Sequence, residues 1–255
     1  MDAKTKRKIL VVDDEINVCK SIRQAIESED HDVDMALSGE EALKKNEENP
    51  YDLIITDLMM PGISGMDLLT SLKTARSGVI VIMVTGYPTI KTAVQAIKIG
   101  AFDYLPKPFT PKDLRSMVAR AFKSPKSDQG ESRLPDMPDG LYTMKGHTWI
   151  RKEGNNLVTI GILPEFLQSI VSIVHLELQK KNKTIFQGEV CARITDAEGN
   201  IHRVWSPVTG KIIQINTALK KKLNLLKADP YGKGWLMRLE ARDIEKDLKN
   251  LSPSA

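Results

Sequence analysis

The sequence predicts an α/β domain built on a five-stranded, doubly wound parallel sheet, followed by a mostly-β domain. In the first half, five short apolar runs alternate with stretches whose apolar residues recur at helical spacing, the pattern of βαβ units. After residues 124–140, a stretch rich in Ser, Asp, Pro and Gly with no apolar period, the pattern changes to short strands and turns. A chain of 255 residues is long enough for two cores. The boundaries read from these changes are 1–123, a linker over 124–140, and 141–255.

Each element of the first domain has a local reason. Lys8–Val12 is an apolar run that ends in Asp13-Asp14-Glu15. Residues 16–28 place Ile16, Cys19, Ile22, Ala25 and Ile26 on one helical face. Val33–Leu37 is a short strand, and Gly39–Asn49 a polar helix closed by Pro50. Leu53–Thr56 is β-branched and apolar, reads as a buried strand, and ends on Asp57 before the turn at Pro61-Gly62. Met66, Leu68, Leu69 and Leu72 mark the next helix. Val79–Val84 is the most strand-like run and leads to Thr85-Gly86; Ile90–Ile99 is a helix stopped by Gly100. Phe102–Leu105 is the fifth strand, before Pro106-Lys107-Pro108, and Pro111–Phe122 the last helix, with Thr110 as its N-cap.

Composition narrows the classes of function. The longest apolar run, Val79–Val84, is far short of the roughly 20 residues of a membrane helix. The basic N-terminus runs directly into acids, unlike a secretory signal, and Cys19 and Cys191 match no metal or redox spacing. A cytoplasmic protein is expected. Residues 1–123 hold 17 Lys+Arg against 18 Asp+Glu, and residues 124–255 hold 20 against 15. That modest basic excess permits nucleic-acid contact without indicating it.

Four of the predicted strands end in polar groups: Asp13 and Asp14, Asp57, Thr85, and Lys107. In a parallel sheet these ends share one edge, where such folds bind ligands. Three carboxylates in one crevice repel each other without a cation. Hard oxygen donors suit Mg²⁺, which takes one or two carboxylates together with waters and phosphate oxygens. With Lys107 as a positive charge and Thr85 as a hydroxyl, the set fits in-line phosphoryl transfer onto Asp57.

With Asp13-Asp14, Asp57, Met60-Pro61-Gly62, Thr85-Gly86 and Lys107-Pro108 all in place, residues 5–123 resemble the response-regulator receiver domain of two-component signalling. The resemblance implies a flavodoxin-like fold. It makes Asp57 the phosphoacceptor, with Asp13, Asp14, Asp57 and the backbone carbonyl of Met59 as Mg²⁺ ligands. It makes Thr85 the switch hydroxyl, Tyr104 the aromatic switch and Lys107 the phosphate-neutralising lysine, and it implies a cis Lys107–Pro108 bond. A histidine kinase or phosphotransfer protein is the implied partner. Tyr104 also fits a plain core position.

In the second half, His147–Arg151 and Leu157–Gly161 flank a turn at Glu153–Asn156, and Pro164–Ile170 is a short helix. Val171–Leu178, Gly188–Thr195 and His202–Trp205 alternate like half-buried strands around a hairpin tip at Asp196–Asn200. Lys211–Ile215 follows a turn, and Ile244–Leu251 reads as a helix. The stretches His147–Ile150, Thr159–Ile162, Ser206–Gly210 and Asp229–Leu236 are similar to the H protein of the glycine cleavage system. The resemblance implies a barrel-sandwich hybrid whose exposed hairpin carries a lipoylated lysine. Counting back from Ser206-Pro207 places that lysine at Gly199, and no lysine occurs between Lys183 and Lys211. No lipoate is expected, because Arg193 and Arg203 are charged guanidiniums and poor nucleophiles. Lys220–Lys222 with Lys227 form a basic cluster, read as a solvated face. The three tryptophans, Trp149, Trp205 and Trp235, read as core residues.

The expected function is therefore a response regulator, not a turnover enzyme, that signals through a non-lipoylated carrier-like domain by binding a protein target. Nucleic acid and membrane are not expected as partners. Two rival readings are a carrier subunit of a multienzyme complex and a transcription regulator.

Overall fold

The computed structural model describes residues 6–75, 78–87, 89–123 and 134–254. The chain divides into two compact units, Met1–Ala121 and Phe122–Ala255. Of the expected linker, residues 124–133 lie outside the described residues, and 134–140 hold no helix or strand.

The first unit contains β1 (Arg7–Val12), α1 (Ile16–Ile26), β2 (His31–Ala36), α2 (Gly39–Glu48) and β3 (Leu53–Asp57). It continues with α3 (Gly65–Ala75), β4 (Ile80–Thr85), α4 (Ile90–Ile99), β5 (Asp103–Pro106) and α5 (Pro111–Lys123). The five strands form one parallel sheet, as the alternating pattern requires, in the order β2-β1-β3-β4-β5. β3 is central and every one of its residues is buried, which is why its sequence is continuously apolar instead of alternating. Each buried Leu or Ile there contributes about 1.5–3 kcal/mol.

Local chemistry sets the helix ends. The Ser38 side chain accepts from the Glu41 amide at the start of α2. Thr89 and Thr92 form a capping box at α4, which ends on Gly100 at φ 114°. At α5 Thr110 is the expected cap: its hydroxyl accepts from the Asp113 amide, and the Asp113 carboxylate accepts from the Thr110 amide.

The second unit contains β6 (Leu141–Met144), β7 (Thr148–Lys152), β8 (Leu157–Ile162), α6 (Pro164–Gln168), β9 (Ile173–Leu178) and β10 (Thr184–Ile185). Then come β11 (Val190–Asp196), β12 (Ile201–Trp205), β13 (Gly210–Ile215), α7 (Leu225–Ala228), β14 (Met237–Ala241), α8 (Ile244–Leu248) and β15 (Ser252–Pro253). They form two sheets, β10-β13-β14-β8-β7-β6-β15 and β12-β11-β9. Strands β6, β10, β14 and β15 add to those read from the sequence, and the last helix ends at Leu248, not Leu251. β14 lies between β13 and β8; its short run carries Arg238 and Glu240, which hide an apolar face of Met237, Leu239 and Ala241.

Trp149 is fully buried and packs with Leu141, Leu163 and Tyr231. Its cross-strand partner is Gly161, where a Cβ would lie 2.2 Å from the indole. Only glycine leaves room for the ring. Gly161→Ala is expected to cost at least about 1–3 kcal/mol by overpacking, measured as a fall in the denaturation midpoint of the second unit; an unchanged midpoint would show that the ring has room to shift.

Candidate functional site

The strand ends of the parallel sheet bring together groups far apart in sequence. Asp57 closes β3 and is 7% exposed; Asp13 follows β1 and is 2% exposed. Lys107, just beyond β5, extends its ammonium between them. Its Nζ donates to Asp13 Oδ2 and to Asp57 Oδ1, each at 2.8 Å. The remaining oxygens are also held: Asp13 Oδ1 accepts from the Glu15 amide and Asp57 Oδ2 from the Met59 amide. Burial alone would lower the Lys107 pKa, but the hydrogen bonds and charges of the two carboxylates outweigh it and hold it above the ordinary lysine value. One fixed cation thus offsets two carboxylates that burial would otherwise penalise.

The turn after Asp57 depends on Gly65, the first residue of α3, whose amide donates to the Leu58 carbonyl at 3.0 Å. A Cβ on Gly65 would fall 2.0 Å from the Asp57 carbonyl oxygen. The sequence reading picked out Pro61-Gly62 and missed Gly65, although a glycine opening a helix is itself a sign of close approach.

Asp14 is exposed and Met59 is 61% exposed, so both stand at the mouth of the crevice. Among the described residues no three His, Cys, Asp or Glu side chains are gathered into a metal cage. The donor chemistry still fits Mg²⁺, which needs only one or two carboxylates and completes its shell with water and phosphate oxygens. Asp13, Asp14, Asp57 and the Met59 carbonyl are the oxygen donors available to it. Beneath them lies Cys19, whose Sγ approaches the Asp13 carbonyl at 3.4 Å. Burial pushes its thiol up to about 11, which removes it as a nucleophile.

Thr85 ends β4 one residue past the strand partner of Asp57, and is fully buried. Its hydroxyl accepts from the Tyr87 amide at 3.1 Å and makes no hydrogen bond to Asp57. The Lys107 amide donates to the Thr85 carbonyl at 2.7 Å, and the Lys107–Pro108 bond is cis. Tyr104 is 1% exposed, so it is a core residue, yet its hydroxyl lies 3.0 Å from Thr92 Oγ1 in the first turn of α4. Burial raises the Tyr104 pKa, against the opposing hydrogen bonds of the Thr92 side chain and the Thr89 backbone. The structure thus joins the aromatic position to the α4 cap, a contact the sequence reading missed.

In the second unit, β11 and β12 form the hairpin whose tip contains Gly199, at φ 75°. A lysine there would be strained as well as absent, since that region favours glycine. Asp196 organises the tip. Its carboxylate accepts from the Glu198 and Asn200 amides, Asn200 Nδ2 and His202 Nε2. Burial raises the Asp196 pKa, but these bonds and His202 outweigh it and hold the carboxyl below its ordinary value. The basic cluster is divided by its contacts: the Lys227 ammonium donates to the Ile170 and Val171 carbonyls, and partial burial lowers its pKa. Lys220, Lys221 and Lys222 stay exposed.

Comparison with known proteins treats the two halves separately. A family model described as response regulator receiver domain matches residues 9–119, and one described as glycine cleavage H-protein matches residues 141–254. The glycine cleavage system H protein of Coxiella burnetii (strain Dugway 5J108-111) is 35% identical over 118 residues, 46% of this chain and 89% of that protein. The transcriptional regulatory protein ResD of Bacillus subtilis (strain 168) is 39% identical over 114 residues, 45% of this chain and 47% of that protein. A receiver domain structure from Clostridium thermocellum shares 39% identity, with a TM-score of 0.43 over 45% of this chain and 93% of that one.

Proposed function

Because residues 9–119 belong to the response-regulator receiver family and residues 141–254 to the glycine-cleavage H-protein family, we propose that the chain accepts a phosphoryl group on Asp57 and passes the signal on through its second domain. The observation that carries this reading is Lys107 Nζ, held 2.8 Å from both Asp13 and Asp57 at the strand ends. The donor is a phosphohistidine on a histidine kinase or phosphotransfer protein. A carboxylate oxygen of Asp57 attacks phosphorus, the new O–P bond forms as the N–P bond breaks, and the departing imidazole takes a proton. Lys107 offsets the negative charge that develops on the transferred oxygens. Bound Mg²⁺ would supply further charge neutralisation and orient the phosphoryl group. The Thr85 hydroxyl, freed from the Tyr87 amide, donates to the phosphoryl oxygen, and Tyr104 carries the change to the first turn of α4. The chain is consumed and regenerated as a signal carrier and turns over no substrate of its own.

The second domain acts by binding a protein. The hairpin that would present a lipoyl amine has none, and its tip is tied down by Asp196. Among the described residues no helix is long and apolar enough to cross a membrane, and the proposed setting is the cytoplasm.

Two measurements test the reading. Incubated with acetyl phosphate and Mg²⁺, the full chain is expected to gain one acid-labile phosphoryl group, recovered on the peptide containing Asp57; recovery on another peptide overturns the assignment. The chain purified from a lipoylating host is expected to show its bare mass. Lipoate on any lysine would favour the carrier reading instead.

A further inference from the structure

The open edge of the three-stranded sheet borders a groove that the phosphoryl chemistry leaves unused. Among the described residues strand β9 pairs with β11 on one side only, so its outer edge presents backbone donors and acceptors. Beside it Leu176, Leu178, Ile215 and Leu219 wall an open cavity of about 170 Å³. Lys180 and Lys220 stand at its polar end, and no acidic residue lines it. Next to these two lie Lys181, Lys221 and Lys222, all exposed. Among the described residues none of these five ammonium groups makes an ion pair or side-chain hydrogen bond, whereas neighbouring Lys183 is tied to Glu189 and Gln179.

We propose that this groove docks an extended acidic segment of a partner protein, with one bulky aliphatic side chain seated between Leu176, Leu178, Ile215 and Leu219. The proposal rests on the reading of the second domain as a protein-binding output. Lys180 and Lys220 at the cleft, with Lys181, Lys221 and Lys222 exposed beside them in the chain, set up a local positive field that attracts carboxylates and disfavours a basic or neutral occupant. The cavity holds the volume of about six waters, taking about 30 Å³ for each. That suits one anchoring side chain and falls below the roughly 300–1,000 Å³ of small-molecule sites. The unpaired edge of β9 supplies main-chain hydrogen bonds for a segment added as a strand. Lysines can also serve only to keep an edge from aggregating. Here, however, the strand itself exposes Val174 at 53%, and the lysines lie off it, on the loop after it and on the turn across the cleft. Aliphatic walls with no aromatic ring favour a peptide over a nucleic acid, whose bases need a stacking platform.

The test is fluorescence anisotropy on the full chain, with a short labelled peptide of glutamates flanking one leucine as the probe. Binding is expected to weaken as salt shortens the Debye length from about 30 Å to about 8 Å. It is expected to fall at least about tenfold in Lys180→Glu/Lys220→Glu, and comparably when serine replaces the leucine of the peptide. These exposed substitutions leave the melting temperature nearly unchanged, so lost binding is not lost folding. Absent binding, binding indifferent to the double substitution, or equal binding of the serine peptide would each overturn the proposal. Tighter binding of an oligonucleotide, abolished by the same substitutions, would overturn it in favour of nucleic acid. Phosphorylation is measured on the same samples. Failure at Asp57 with intact peptide binding counts against the signalling reading alone, and the converse counts against the groove alone.

Discussion

An Asp57→Asn variant is expected to take up no phosphoryl group from acetyl phosphate and Mg²⁺ while keeping nearly the full stability of the parent chain. Asparagine fills the same space but lacks the anionic nucleophile, and Asp13 still holds the Lys107 ammonium. Lys107→Met separates the two roles of the lysine. It leaves Asp13 and Asp57 buried without their shared cation, which is expected to cost about 3–5 kcal/mol. It is also expected to slow phosphoryl uptake about 100-fold, because a preorganised charge at the transferred group is gone. Mg²⁺ should raise the melting temperature of Lys107→Met more than that of the parent, since it can replace the missing charge. An equal Mg²⁺ effect in both would place the metal away from these carboxylates. The sign of the pH effect follows from the raised Lys107 pKa. Its contribution is complete below the ordinary lysine value of 10.5 and is lost only as pH climbs through the still higher folded value. Stability from this group is therefore flat through neutral pH.

Asp103→Ala is expected to destabilise the first unit by about 3–5 kcal/mol, because it strands a buried guanidinium. Asp103 is 1% and Arg120 4% exposed, and the two form an ion pair between β5 and α5. The Arg120 guanidinium also lies 4.9 Å from the centre of the Phe102 ring. Burial pulls the Arg120 pKa down to about 9, and Asp103 is the carboxylate paired with this buried cation. The melting temperature should fall by about 10–20 °C for a unit of this size. The double variant Asp103→Ala/Arg120→Met should recover most of that loss, since an apolar pair avoids the desolvation penalty altogether. A double variant no more stable than Asp103→Ala would show that the ion pair is not the source of the effect.

Much of this molecule is local and therefore legible in the chain. The run Leu53–Thr56 is continuously apolar because a central parallel strand is covered on both faces, and the parallel sheet follows from strands alternating with helices. Thr110 before Pro111 marks the start of α5 because a cap needs only its own first turn. The identities of Asp13, Asp57, Thr85 and Lys107, and the missing lysine of the hairpin, are likewise properties of single positions. What only the tertiary structure decided are the pairings across sequence. Lys107 meets Asp13 and Asp57 from 94 and 50 residues away, and which carboxylates it reaches depends on strand order and register. Asp103, an acid inside an apolar strand, was passed over in the sequence reading, and only the fold pairs it with Arg120. Gly161 beneath Trp149 is a fact of antiparallel register, and β14 is a strand because β8 and β13 flank it. The separation of Lys227 from Lys220–Lys222 has the same origin: a run of charges in sequence says nothing about which carbonyls the fold will bring within reach of each one.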